Sequence, residues 1–173
     1  MKTTILMILI MVPLLCKGQV NFNEVSQNQF KSILFGNKTI SQLDEFAGSL
    51  DEFTNYYGES FVNISDDPEG EAKDFSNGNI IFSYLGFENE MTLVGIKVLN
   101  SQITVKIAGV NLKISDDSSV LFQEFPGLNV IEDAGNTGRI KVVFKANLND
   151  NYVVLNIRTD TNEITSIKYF SPL

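Results

Sequence analysis

The side chains whose types and spacing most suggest chemistry are carboxylates. Asp44 with Glu45 and Asp51 with Glu52 stand as adjacent pairs, and Asp66, Asp67, Glu69 and Glu71 crowd into the run "DDPEGE". One protonated and one ionised carboxyl group suffice to hydrolyse a glycoside, and Glu45, Asp51 and Glu124 are the residues to mutate in testing that. Neighbours on a helix point in different directions, however, and acids in a first turn complement the helix dipole. The four-acid run could offer oxygens to calcium, but it lacks the alternating acids and sixth-place glycine of an EF-hand loop. It reads instead as a solvated loop whose charges keep it out of the core and attract a basic partner. Tyr56 and Tyr57, in "TNYYG" nearby, join these four acids as candidate partner-binding residues, because tyrosine combines apolar area with a hydroxyl.

What is missing bounds the chemistry further. The chain has no histidine and a single cysteine, Cys16. Cys16 falls in "MKTTILMILIMVPLLCKGQ", where one lysine precedes an apolar run from Ile5 to Leu15 that small residues follow. That is the layout of a secretory signal, expected to be cleaved between Gly18 and Gln19. The apolar run is about half of the roughly 20 residues that a spanning helix needs. Acylation of Cys16 is the alternative, but the bulk of Leu15 directly before it departs from the small residues that lipoprotein signals carry. With the signal removed, the 173 residues fall to 155 and no cysteine remains. A disulfide, a cysteine nucleophile, a histidine base and a Cys/His zinc site are then all excluded. No cofactor motif is present, and none is expected to be bound.

The net charge of −8 becomes −10 when Lys2 and Lys17 leave with the signal. Such a surface repels phosphate backbones and anionic headgroups, which argues against nucleic-acid and membrane-surface partners. It favours solubility, or a protein partner that is itself basic.

The elements that must position these groups follow from periodicity and breakers. Asn21 to Leu34 spaces Phe22, Val25, Phe30, Ile33 and Leu34 at loose helical intervals, so a helix is expected there. Thr39 or Ser41 caps a short helix through Phe46, and "SLDEFTNYYG" makes another closed by Gly58. Glu59 to Asn79, rich in acids, Ser, Asn and Gly, reads as a loop with a short strand at Phe61 to Ile64. Strands are expected at Ile80–Leu85, Met91–Val98 and Ile103–Ile107, joined by "GFENE" and "LNSQ". After "SDDSSVLFQEFPG", a capped helical turn stopped by Pro126 and Gly127, three more follow: Ile140–Lys145, Tyr152–Thr159 and Ile164–Phe170. Alternation such as that of "QITVKI" leaves one buried and one wet face, hence antiparallel sheet with an open side.

The two halves can be laid over each other. "LDEFAG" at Leu43–Gly48 matches "FQEFPG" at Phe122–Gly127, and Ile80, Ile96 and Ile103 fall on Ile140, Ile157 and Ile164. On this register the segment Glu59–Asn79 is an acidic insertion in the first half. A short helical unit followed by a meander, used twice, resembles the tandem architecture of the β-lactamase inhibitory proteins. It is also similar to the single-unit fold of small outer-membrane assembly lipoproteins, although those carry Gly before Pro where this chain has "FPG" and "FAG". The resemblance implies a non-enzymatic exported protein that binds a macromolecule across a sheet face.

The expected fold is therefore one α+β domain, residues 19–173, of two helix-then-antiparallel-meander pseudo-repeats, about 37–113 and 114–173, with helices on one sheet face. The expected function is inhibitor-like binding of another protein by a monomer through its sheet face and acidic loop, in the periplasm or outside the cell. A carboxylate-based glycan hydrolase, a lipid-anchored envelope structural protein and an exported domain of no inferable role are the alternatives.

Overall fold

A computed structural model describes residues 22–87, 90–133 and 135–172. The expected signal segment and its Gly18/Gln19 cleavage point lie outside these residues. The chain order is β1 (Asn23–Val25), α1 (Gln27–Lys31), β2 (Leu34–Phe35), β3 (Lys38–Thr39), α2 (Ile40–Asp44), α3 (Leu50–Tyr57), β4 (Val62–Asn63), β5 (Ala72–Ser76), β6 (Ile80–Leu85), β7 (Thr92–Val98), β8 (Val105–Ile107), β9 (Val110–Leu112), α4 (Ser119–Glu124), β10 (Ile131–Glu132), β11 (Arg139–Ala146), β12 (Tyr152–Arg158) and β13 (Ile164–Phe170). The architecture is mixed α and β, with short helices and a predominance of sheet.

Local sequence explains the helices. Three of them open with a reciprocal capping box: Ser26 with Gln29, Thr39 with Gln42, and Ser49 with Glu52. In each box the cap side chain accepts from the backbone N–H three residues on, and that residue's side chain accepts from the cap's own N–H, so two donors that would otherwise be orphaned are satisfied. Gly58 closes α3 in the left-handed conformation, φ 86°, which a side chain would resist.

Two sheets result. The larger has nine strands in the order β1-β11-β12-β13-β7-β6-β5-β4, with β10 pairing to β11 off that path. All its pairings are antiparallel except β1 with β11. The smaller runs β3-β2-β8-β9. Its β8–β9 hairpin turns through Ala108 and Gly109, both at positive φ (46° and 97°), as a two-residue turn matched to the twist of its strands requires.

Within the large sheet, β5-β6-β7 and β11-β12-β13 are three-stranded meanders that meet edge to edge through β7 and β13. This corrects the expected register. Ile80 starts the second strand of its meander, whereas Ile140 lies in the first strand of the other. Ile103 precedes β8 of the small sheet, whereas Ile164 opens β13 of the large one. "LNSQ" is therefore a crossing between sheets and not a hairpin turn. The supposed acidic insertion contains β4, which falls within the short strand expected at Phe61–Ile64, and β5, hidden because "AKDFS" mixes charge with only one large apolar residue. The expected helix over Asn21–Leu34 is likewise β1, the five-residue α1 and the start of β2.

One core joins these parts. Phe82, Tyr84, Leu93, Ile96, Val153, Leu155, Ile167 and Tyr169, alternate residues of the large sheet, are buried together with Phe35, Val105 and Leu112 of the small one. The helical segments add Phe30, Leu43, Phe53 and Leu121. Phe30 meets Tyr169, Phe53 meets Phe75, Phe82 and Tyr84, and Phe125 at the end of α4 meets Phe144. Burying each such ring contributes roughly 1.5–3 kcal/mol against the entropy of ordering the chain.

Candidate functional site

The alternate residues of the large sheet that do not enter this core form a second, partly exposed face. Strand register orders it into rows. Ser76, Ile81, Lys97, Lys168, Val154 and Val143 follow one another across six strands. The adjacent row is Asp74, Ser83, Gly95, Phe170, Tyr152 and Lys145. Asn156 and Ser166, opposed in a further row, are hydrogen-bonded side chain to side chain, so they share this face.

Charge on this face runs against that of the whole chain. Lys97, Arg139, Lys141, Lys145, Arg158 and Lys168 stand on it, six of the chain's 13 basic residues. Turn and edge carboxylates neutralise three of them: Asp133 lies 3.2 Å from Lys141, Asp150 2.9 Å from Lys145, and Glu163 3.5 Å from Arg158. Among the described residues, Lys97 and Lys168 have no carboxylate within ion-pair reach. They are nonetheless directly opposed across the β7–β13 seam, an arrangement that destabilises a sheet by itself. One row away, Tyr152 and Phe170 are cross-strand partners with ring centroids 5.3 Å apart, and Phe170 is 38% exposed.

The residues singled out from sequence are placed differently. Tyr57 is buried in the aromatic core, where its hydroxyl donates to the Phe35 carbonyl at 3.1 Å and burial pushes its phenol up to about 12. It cannot meet a partner. Tyr56 is half-buried, stacks on Phe46, donates to the Gln42 carbonyl at 2.8 Å and carries the Lys38 ammonium 4.1 Å above its ring. Its neighbour fills the core while it covers the end of α2.

The four acids separate in role. Asp66, Glu69 and Glu71 are exposed, but the Asp67 carboxylate accepts from the backbone N–H of Ala72 at 2.7 Å and of Glu69 at 3.1 Å. It closes the loop between β4 and β5, and these bonds hold its carboxyl below the ordinary carboxylate range. A lowered folded-state value means that the stabilisation is present above the unfolded value and is lost as pH falls through the folded one. Amide-exchange protection at Ala72 is thus expected to fall on acidification in the native chain and to be low and independent of pH in Asp67→Asn. Protection in that variant matching the native chain at neutral pH would contradict the assignment. Among the described residues no three acidic or other ligating side chains converge as a metal site.

The carboxylate pairs do not form a pocket of their own. Glu52 is held by the Ser49 capping box, which lowers its value, and Glu45 accepts from the Ser41 hydroxyl at 2.9 Å. Burial raises Asp44, opposed by Lys31. Glu124 and Glu24 instead both line a cleft of about 550 Å³, with Phe22, Phe125 and Phe144. Two asparagine side chains serve the fold: Asn37 donates to the Tyr57 carbonyl at 2.7 Å, and Asn63 accepts from the backbone N–H groups of Ser65 and Asp74.

Sequence reasoning missed the seam lysines and the Tyr152–Phe170 pair. Their outward direction was available, since "GIKV" and "SIKYF" each set a lysine between buried residues. Their adjacency was not, because 70 residues separate Lys97 from Lys168 along the chain. Comparison with protein-family models, with curated proteins and with solved structures finds no match. Among the described residues no helix is long and apolar enough to cross a membrane.

Proposed function

We propose that this chain is an exported, inhibitor-like binding protein that recognises another protein across the outward face of its large sheet. The observation that carries this reading is the seam itself. Two opposed lysines without an acid partner among the described residues, beside a half-exposed aromatic pair, cost the isolated fold stability, and a partner that covers them would recover it. On this reading the helices and small sheet serve as backing for a rigid platform. Five strand spacings of about 4.8 Å make it roughly 24 Å wide from β5 to β11. The two meanders then represent a duplicated unit, registered β5-β6-β7 on β11-β12-β13. The exposed Asp66, Glu69 and Glu71 give the platform an acidic margin that speeds encounter with a partner carrying positive charge at its own rim.

The test is lysine footprinting in the extracellular or envelope fraction of the native source. Lys97 and Lys168 should lose reactivity toward an amine-acylating reagent, while Lys106, exposed on β8, should not.

A further inference from the structure

We propose that the group seated over the β7–β13 seam is anionic: an acidic segment of the partner protein, with a carboxylate between Lys97 and Lys168 and an apolar side chain on Tyr152 and Phe170. This rests on the outward sheet face being the binding surface, and it reverses, for that face, the expectation of a basic partner drawn from net charge.

The argument is one of local against total charge. A net charge of −8 repels anions at long range, but at physiological ionic strength charges beyond about 8 Å are largely screened. A group lying on the sheet therefore responds to the row beneath it. In that row Ile81 and Val154 flank the two lysines, so the cross-strand neighbour on the other side of each lysine is apolar. Neutralisation elsewhere on the face makes the contrast sharper. Lys141, Lys145 and Arg158 each have an acid from this chain in ion-pair range, whereas among the described residues the seam pair has none, nor has Arg139, which faces Arg158 at the start of β11. Cross-strand lysines have Cβ atoms about 4.5–5.5 Å apart, close enough for one carboxylate to accept from both ammonium groups.

The aromatic pair specifies the rest of the segment. Phe170 stands opposite Gly95 on one side and Tyr152 on the other. Gly95 has no side chain to cover the ring, which leaves a shallow apolar step next to the lysines. An acidic residue adjacent to an apolar one fits this step, and a uniformly charged polymer would use only the lysines. Nucleic acid is disfavoured, since its charge density makes it the anion most strongly repelled by the remaining acidic surface.

The experiment uses two labelled probes, oligo-L-glutamate and a peptide alternating glutamate with phenylalanine, at physiological ionic strength. Both should bind the native chain, the alternating peptide more tightly, and Lys97→Glu/Lys168→Glu should weaken both at least tenfold. Lys106→Glu should change neither. Phe170→Ser should weaken the alternating peptide several-fold and leave oligo-glutamate unaffected. Equal binding by the native chain and the double-lysine variant, or no binding of either probe, would overturn the proposal. If footprinting still shows Lys97 and Lys168 covered in that event, the sheet face remains the binding surface and only the acidic character of its partner fails.

Discussion

Replacing Phe53 by alanine is expected to destabilise the fold by about 3–5 kcal/mol, the range for emptying a buried aromatic site. Phe53 is fully buried, and its ring lies 5.0–6.0 Å from those of Phe46, Tyr57, Phe61, Phe75, Phe82 and Tyr84. It is thus the point at which the segment after α2, α3, the segment before β4, and strands β5 and β6 meet. Few of these neighbours can collapse inward, because Tyr57 and Tyr84 are tethered through their hydroxyls to the Phe35 and Leu43 carbonyls at 3.1 and 2.9 Å. Domains of this size hold only about 5–15 kcal/mol in total, so the variant should unfold at much lower denaturant with an unchanged slope. Phe53→Leu, which keeps most of the volume, should cost less. A loss under about 1 kcal/mol for the alanine variant would show that the aromatic cluster is not what joins helix to sheet.

The second large effect is expected at Gly36, where alanine should cost about 2–5 kcal/mol. Two separate penalties combine. The φ of 67° places the residue in the left-handed region, at roughly 1–2 kcal/mol for a side chain. The added Cβ would also overlap the Tyr57 hydroxyl and lie 3.3 Å from its ring carbon, an overpacking cost of about 1–3 kcal/mol. Gly36 cannot swing away, because its N–H donates to the Thr104 carbonyl at 2.9 Å and so ties the β2–β3 turn to the small sheet. Tyr57→Phe separates the two terms. In that background Gly36→Ala should keep the backbone penalty and lose most of the steric one, giving a coupling of about 1 kcal/mol or more in a double-mutant cycle. Identical costs in both backgrounds would mean that Tyr57 does not fill the space above this turn.

Much of the fold was legible where local physics decides it. Strand β6 falls on the expected Ile80–Leu85 because Ile80, Phe82 and Tyr84 alternate with Ile81 and Ser83. Helix α3 has its cap at Ser49 and its stop at Gly58 because both ends carry residues that satisfy free backbone groups. What stayed hidden depends on pairing between distant segments. Lys38 and Thr39 pair with Leu34 and Phe35, and that short hairpin joins a sheet through the distant β8. Phe75 turns "AKDFS" into a core strand by pairing opposite Phe82 and packing its ring on Phe53. The same limit governs the candidate site. Exposed acids and paired tyrosines attract notice in a sequence, but Tyr57 serves the core and Asp67 the loop, while the seam that joins Lys97 to Lys168 exists only once two meanders are placed side by side.

The most direct measurement of the central claim is the ratio of acylation rates at Lys97 and Lys168 to that at Lys106, taken for the purified chain and again in its native extracellular or envelope fraction. The ratio should fall several-fold in the native fraction and recover when the chain is repurified from it. An unchanged ratio, or protection centred on Lys106 and the small sheet, would contradict the assignment of the outward sheet face as the surface this protein uses.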